Sequence, residues 1–207
     1  MNDLIHRSPH RQRGAAALLV TTLLCFAMLL VVAYAHRNVV VEERASANQL
    51  RAAQAFEAAE AGIEWALSRL NDPTPAGPDC RPSSDASAQS ARDRWLRFQG
   101  AAGEVVPVTW SHAGTPTPLR AACVRGDGGW TCSCPVNGAP SLAAPAGQAT
   151  APTFAVEFTA GPRPGIVRIA STGCTRSDVA CAAAAEPTAN HAVARVEASF
   201  ALLPALR

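Results

Sequence analysis

The sequence has no lysine: all eighteen basic residues are arginine, in an alanine-rich chain of 207 residues. Such a bias fits a GC-rich genome better than a nucleic-acid-binding surface, and no nucleic-acid partner is expected. Three arginines, Arg7, Arg11 and Arg13, stand in the first fourteen residues against one acid, Asp3, and the remainder carries 15 basic and 15 acidic residues. Beyond its N-terminus the chain is therefore formally neutral. Catalytic signatures are also missing. There is no G-x-S-x-G, no H-E-x-x-H and no P-loop, and His6, His10, His36, His112 and His191 are scattered. Asp127-Gly128-Gly129 lacks the alternating acids of a calcium cage and reads as a tight hairpin turn. No catalytic residue, no cofactor and no metal site is expected, and the chain reads as a non-enzyme.

At this length one modest domain and a membrane segment can be accommodated. The membrane candidate is Ala15 to Ala35, AAALLVTTLLCFAMLLVVAYA, which carries no charge. Its 21 residues reach across a hydrocarbon core of about 30 Å at ~1.5 Å per residue. The basic flank HRSPHRQRG should stay cytoplasmic and the rest of the chain should be exported. Two plainer readings compete. Ala33-Tyr34-Ala35 could mark a signal-peptide cut before His36, although the apolar run exceeds a normal h-region and helical patterning continues through the cut. An unprocessed signal anchor is the other.

The junction Arg11-Gln12-Arg13-Gly14 followed by AAALLV resembles a class III, prepilin-type signal. That resemblance implies cleavage between Gly14 and Ala15 by a prepilin peptidase and methylation of the new N-terminus. Further on, VEERASANQLRAAQAFEAAEAGIEWALSRLND, Val41 to Asp72, resembles the N-terminal region of the PilX family of minor pilins. Ala58-Ala59-Glu60-Ala61-Gly62 is also similar to the K-type minor pseudopilin of type II secretion. The resemblance implies a structural subunit of a type IV pilus (fimbrium) that helps to prime assembly or sits near the filament tip. It implies as partners other minor pilins, the major pilin, the prepilin peptidase and inner-membrane lipid. The location implied is the inner membrane, single-pass with a periplasmic C-terminal head, with assembly into an extracellular pilus. Major pilins carry Glu at the fifth mature position; here that position is Leu19. The alternatives are a K-type pseudopilin and a membrane-anchored periplasmic binding protein or adhesin.

The expected fold is α+β, a long N-terminal helix packed on a small antiparallel, disulfide-bearing head. At ~100° per residue, Val41, Ala45, Ala52, Phe56, Ala59, Ile63, Leu67 and Leu70 fall on one stripe, with Phe56, Ile63, Leu67 and Leu70 as its main packing residues. Trp65 projects about opposite Phe56, to be covered by the head. Asn71-Asp72-Pro73 ends the helix. The organisation expected is a leader over 1–14, a transmembrane half-helix over 15–35, an amphipathic half over 36–72, a linker over 73–100 and a β-rich head over 101–207. The linker rests on the Pro/Ser/Asp-rich, aperiodic stretch from Asp72 to Ser90, followed by a short amphipathic piece, Ala91 to Gln99. Strands are expected at Glu104 to Trp110, Arg120 to Arg125, Thr153 to Thr159, Gly165 to Ser171 and Ala192 to Leu202. Gly138 to Pro152 reads as surface loop.

Cys25 lies in the apolar run; Cys80, Cys123, Cys132, Cys134, Cys174 and Cys181 lie beyond it, an even set that suggests disulfides in an oxidising compartment. Cys174 and Cys181 bracket a short loop and pair first. Cys132 and Cys134 are badly spaced to bridge each other and should reach Cys123 and Cys80, in an order left open. C-x-C is not the usual zinc spacing.

Overall fold

A computed structural model describes residues 12–99, 104–143, 145, 151–176, 181 and 191–201. The chain divides into two compact units, Met1–Ala47 and Asn48–Arg207. Helix α1 spans Gln12–Asn71. In the first unit it is the described structure; in the second, its residues 48–71 belong to a β-rich domain.

Beyond α1 come β1 (Pro75–Ala76), β2 (Gln89–Ser90), the short α2 (Ala91–Trp95), β3 (Leu96–Gln99), β4 (Glu104–Pro107), β5 (Thr109–His112) and β6 (Thr115–Pro118). Then follow β7 (Arg120–Gly126), β8 (Gly129–Ser133), β9 (Thr153–Ala160), β10 (Ile166–Cys174) and β11 (Val193–Ala201). The last five form one antiparallel sheet in the order β11-β10-β9-β7-β8, and the others pair as β1-β2, β3-β4 and β5-β6. The fold is α+β, as the sequence suggests. Alternation along β9 sets the register: Phe154 lies opposite Cys123 and Gly173, Val156 opposite Ala121 and Ser171, and Phe158 opposite Ile169. Because side chains alternate across a strand, these residues form one continuous buried layer. On the other face Arg120 stands opposite Glu157 and pairs with it at 2.7 Å. The two-residue Asp127-Gly128 turn joins β7 to β8, with Gly126 opposite Gly129, and Gly129 takes a φ of 108° that a side chain would resist.

The sequence expectation differs from the structure at several places. The segment expected as a linker is packed. Trp95 and Leu96 are fully buried, and Trp95 stacks on Phe158 at 5.0 Å. Ser90 caps α2 by accepting from the Asp93 N–H at 3.2 Å, and the chain turns to β3 at Leu96. Its Pro/Ser/Asp composition marks turns, not slack: Asp72, Asp79, Ser83 and Asp85 each accept a backbone N–H two residues on. Glu104 to Trp110 is two strands in different pairs, broken after Pro107, where the Val108 N–H turns to the Trp95 carbonyl at 2.8 Å. Neither β6 nor β8 was expected as a strand. The described parts of Gly138 to Pro152 carry no helix or strand, while Met1 to Arg11 and Leu202 lie outside the described residues.

Candidate functional site

The site indicated by the sequence is helix α1. Gly14 and Ala15 both lie in its N-terminal part and are exposed. The helix is long and apolar enough to cross a membrane, and none of its most apolar stretch is buried. Large side chains in it, from Leu24 at 52 % to Tyr34 at 69 %, are open. Such a surface requires lipid or protein around it, because apolar area left in water costs roughly 25 cal/mol per Å². The two hydroxyls within the run are satisfied by the helix itself. Thr21 donates to the Leu18 carbonyl at 3.0 Å, and Thr22 reaches the Leu18 and Leu19 carbonyls at 3.0 Å. No side-chain donor of the pair is then left bare in hydrocarbon. Leu19 is apolar and exposed, and Cys25 is a free, exposed thiol.

In the second unit α1 turns a face of small residues to the sheet: Ala55, Ala58, Ala59, Gly62 and Ala66 are buried, with Leu70 at the end. Gly62 approaches Phe154 and Ser171, and Gly173 of β10 approaches the backbone of Ala55, Ala58 and Ala59. Of the four residues expected to pack, Leu70 is buried, Ile63 and Leu67 are half-buried against the core, and Phe56 is 48 % exposed. The expectation for Phe56 is thus overturned. The sheet comes so close to the helix that only Ala and Gly fit beneath it, which rotates the large side chains to the flank. Phe56 instead shares the outward face with the exposed Glu57, Glu60 and Glu64. Trp65 packs between Trp95 and Phe154, each at 5.8 Å.

Three disulfides hold this unit: Cys80–Cys134, Cys123–Cys132 and Cys174–Cys181. The pairing left open by the sequence is resolved by register, since Cys123 and Cys132 are directly opposite on β7 and β8. Cys134, beyond the end of β8, is left for Cys80. Beside it lies a residue the sequence reading missed. Arg94, 4 % exposed, donates from Nη1 to the carbonyls of Gly77 at 2.9 Å and Cys134 at 2.8 Å, and from Nη2 to that of Ala76. Burial pushes its pKa below the usual arginine value, and among the described residues the acceptors bonded to the charge are carbonyl oxygens. Nothing in the local pattern marks Arg94 as buried; the only signal is Trp95-Leu96 beside it. Among the described residues no group of three or more His, Cys, Asp and Glu is placed to hold a metal ion.

Residues 13–64 match the family model described as PilX N-terminal, a stretch lying wholly within α1. No curated protein and no solved structure matches the chain.

Proposed function

We propose, from the premise that residues 13–64 are a PilX-type pilin N-terminus, that the chain is a minor pilin-like structural subunit of a type IV pilus and works without catalysis. The observation that carries this reading is that the matched stretch begins at Arg13, beside the Gly14–Ala15 bond, and runs through the whole exposed apolar segment. A prepilin peptidase would cut that bond and leave the apolar helix on the mature protein. The helix would first sit in inner-membrane lipid, with the disulfide-bearing unit in the periplasm, and then pack among other minor pilins and the major pilin.

Leu19 supports a place at or near the tip, with a role in priming assembly. A carboxylate at the fifth mature position can neutralise the terminal amine of a neighbour in an apolar core, where an unpaired charge costs several kcal/mol. A subunit with leucine there offers no such pairing, and fits best where that pairing is not required.

Intact-mass and N-terminal peptide mass spectrometry of the protein from its own membranes tests the reading. A mature chain that starts at N-methylated Ala15 is the expected result. A chain that starts at Met1 or His36 would sink it and leave an anchored or secreted binding protein.

A further inference from the structure

A cleft of about 320 Å³ opens within the second unit, among the end of α1, the turn around Cys80 and strand β8. That volume is at the lower end of small-ligand sites. Its lining combines two indoles, Trp65 and Trp130, with two guanidiniums, Arg69 and Arg81, and two oxygen-bearing side chains, Asp79 and Thr131. The indoles are held by their neighbours: Trp65 packs on Trp95 and Phe154, each at 5.8 Å, and Trp130 packs on Phe154 at 4.7 Å with the Arg125 guanidinium over its ring at 5.9 Å.

The walls are rigid. Cys80 takes a left-handed φ of 62° and is pinned to Cys134 by its disulfide. The Gly77 N–H donates to the Arg81 carbonyl at 2.8 Å, the Cys80 N–H to that of Gly77 at 3.1 Å, and Arg94 holds the turn through Ala76 and Gly77. Cys132, in the opposite wall, is tied to Cys123. The charges are unequally committed. Arg69 pairs with Asp72 at 3.5 Å, whereas the Arg81 side chain is 78 % exposed and only loosely paired with Asp79, at 3.9 Å.

A ligand for this cleft needs a flat apolar face for the indoles and an anionic group for the arginines. It also needs hydroxyl donors for Asp79, which a bare phosphate or a fatty acid does not supply. We propose that the cleft binds a hexuronate residue of an acidic glycan, its ring face against the tryptophans, its carboxylate on Arg81 and Arg69, and its hydroxyls on Asp79 and Thr131. Guanidinium–carboxylate pairs of this kind are strong and directional, and walls fixed in advance lower the ordering cost of binding. The site would serve whether or not the chain enters a filament.

The test is titration of the full chain, in a detergent free of sugar, with trigalacturonate and with neutral maltotriose, followed by tryptophan fluorescence and calorimetry. Saturable, salt-sensitive binding of trigalacturonate is expected, at least about tenfold tighter than maltotriose. Arg81→Ala, at an exposed side chain, should weaken it by about tenfold or more and leave the melting temperature unchanged. Absence of saturation up to about 10 mM, equal affinity for the two sugars, or an unaffected Arg81→Ala variant would each overturn the proposal.

Discussion

Gly173 lies against the backbone of Ala59: a Cβ at residue 173 would overlap the Ala59 nitrogen and the Ala55 carbonyl oxygen. Neither atom belongs to a side chain that can rotate away, so helix and strand must separate to admit even a methyl group. Gly173→Ala is expected to cost about 1–3 kcal/mol or slightly more, lowering the melting temperature by roughly 2–12 °C for a domain of this size. Thermal unfolding followed by circular dichroism checks it. An unchanged melting temperature would mean that the helix does not sit so close.

Phe56 gives the complementary case. Half-exposed on the outward face, it is expected to tolerate Phe56→Ser with a loss under about 1 kcal/mol, whereas Ala59→Leu, at a fully buried position, should cost about 1–3 kcal/mol. Denaturant unfolding of the two variants side by side decides between the two faces. If the chain is a pilin, Phe56→Ser should also reduce incorporation into filaments, read by immunoblot of sheared pili.

The disulfides should contribute unequally. Cys80–Cys134 closes a separation of 54 residues and Cys174–Cys181 one of 7. Chain entropy alone gives about 4 and about 2.5 kcal/mol respectively. Paired serine substitutions, measured by denaturant unfolding under oxidising conditions, should place the long-range bridge first, and the reverse order would show that the denatured chain is already constrained near residue 80.

Asp72, at the end of α1, has its pKa held below 3.8, first by the side-chain hydrogen bond from Thr74, then by the Thr74 N–H, with Arg69 adding attraction. Asp85 is lowered in the same direction, first by the Ser87 N–H. A carboxyl depressed on folding contributes stability above its unfolded pKa and loses it as pH falls through the folded value. These groups should therefore leave the melting temperature flat from about pH 5 to 8 and contribute to a decline below about pH 4. Carboxyl NMR titration should put the Asp72 midpoint below 3.8, and Thr74→Ala should raise it toward that value. A midpoint unmoved by the substitution would assign the shift to the backbone alone.

How much of this could be read in advance follows from what each pattern reports. Phe154-Ala155-Val156-Glu157-Phe158 and Ile166-Val167-Arg168-Ile169 announce strands because alternation maps directly onto the pleat. Ala15 to Ala35 announces itself by length without charge. The buried face of α1 is only partly legible: Ala59 and Leu70 fall on the apolar stripe, but Ala55, Ala58, Gly62 and Ala66 do not, because alanine and glycine score weakly on any apolar scale and are selected by closeness to the sheet, where Gly173 lies more than a hundred positions away. Trp95 and Leu96 are hidden by their neighbours, since the turn-formers around Cys80 look alike whether a loop is slack or tied down. The candidate cleft was equally illegible: Trp65, Arg81 and Trp130 share no pattern until the sheet and two disulfides bring them together.

Arg94 also bears on how the cysteines find one another. Its three carbonyl acceptors come from residues 76, 77 and 134, so both terminal nitrogens of the guanidinium keep all of these bonds only when the strand end carrying Cys134 is docked beside the turn carrying Cys80. Were Cys132 to capture Cys80 instead, the chain would slide by two residues, the Cys134 carbonyl would leave, and a buried cation would lose an acceptor at a cost of about 1–3 kcal/mol. Arg94 is therefore expected to discriminate between two thiols that are near neighbours in sequence, a form of error correction written into the folded state. Refolded Arg94→Met protein should carry more of the 80–132 and 123–134 isomer by disulfide peptide mapping, and unchanged pairing would confine the discrimination to strand register.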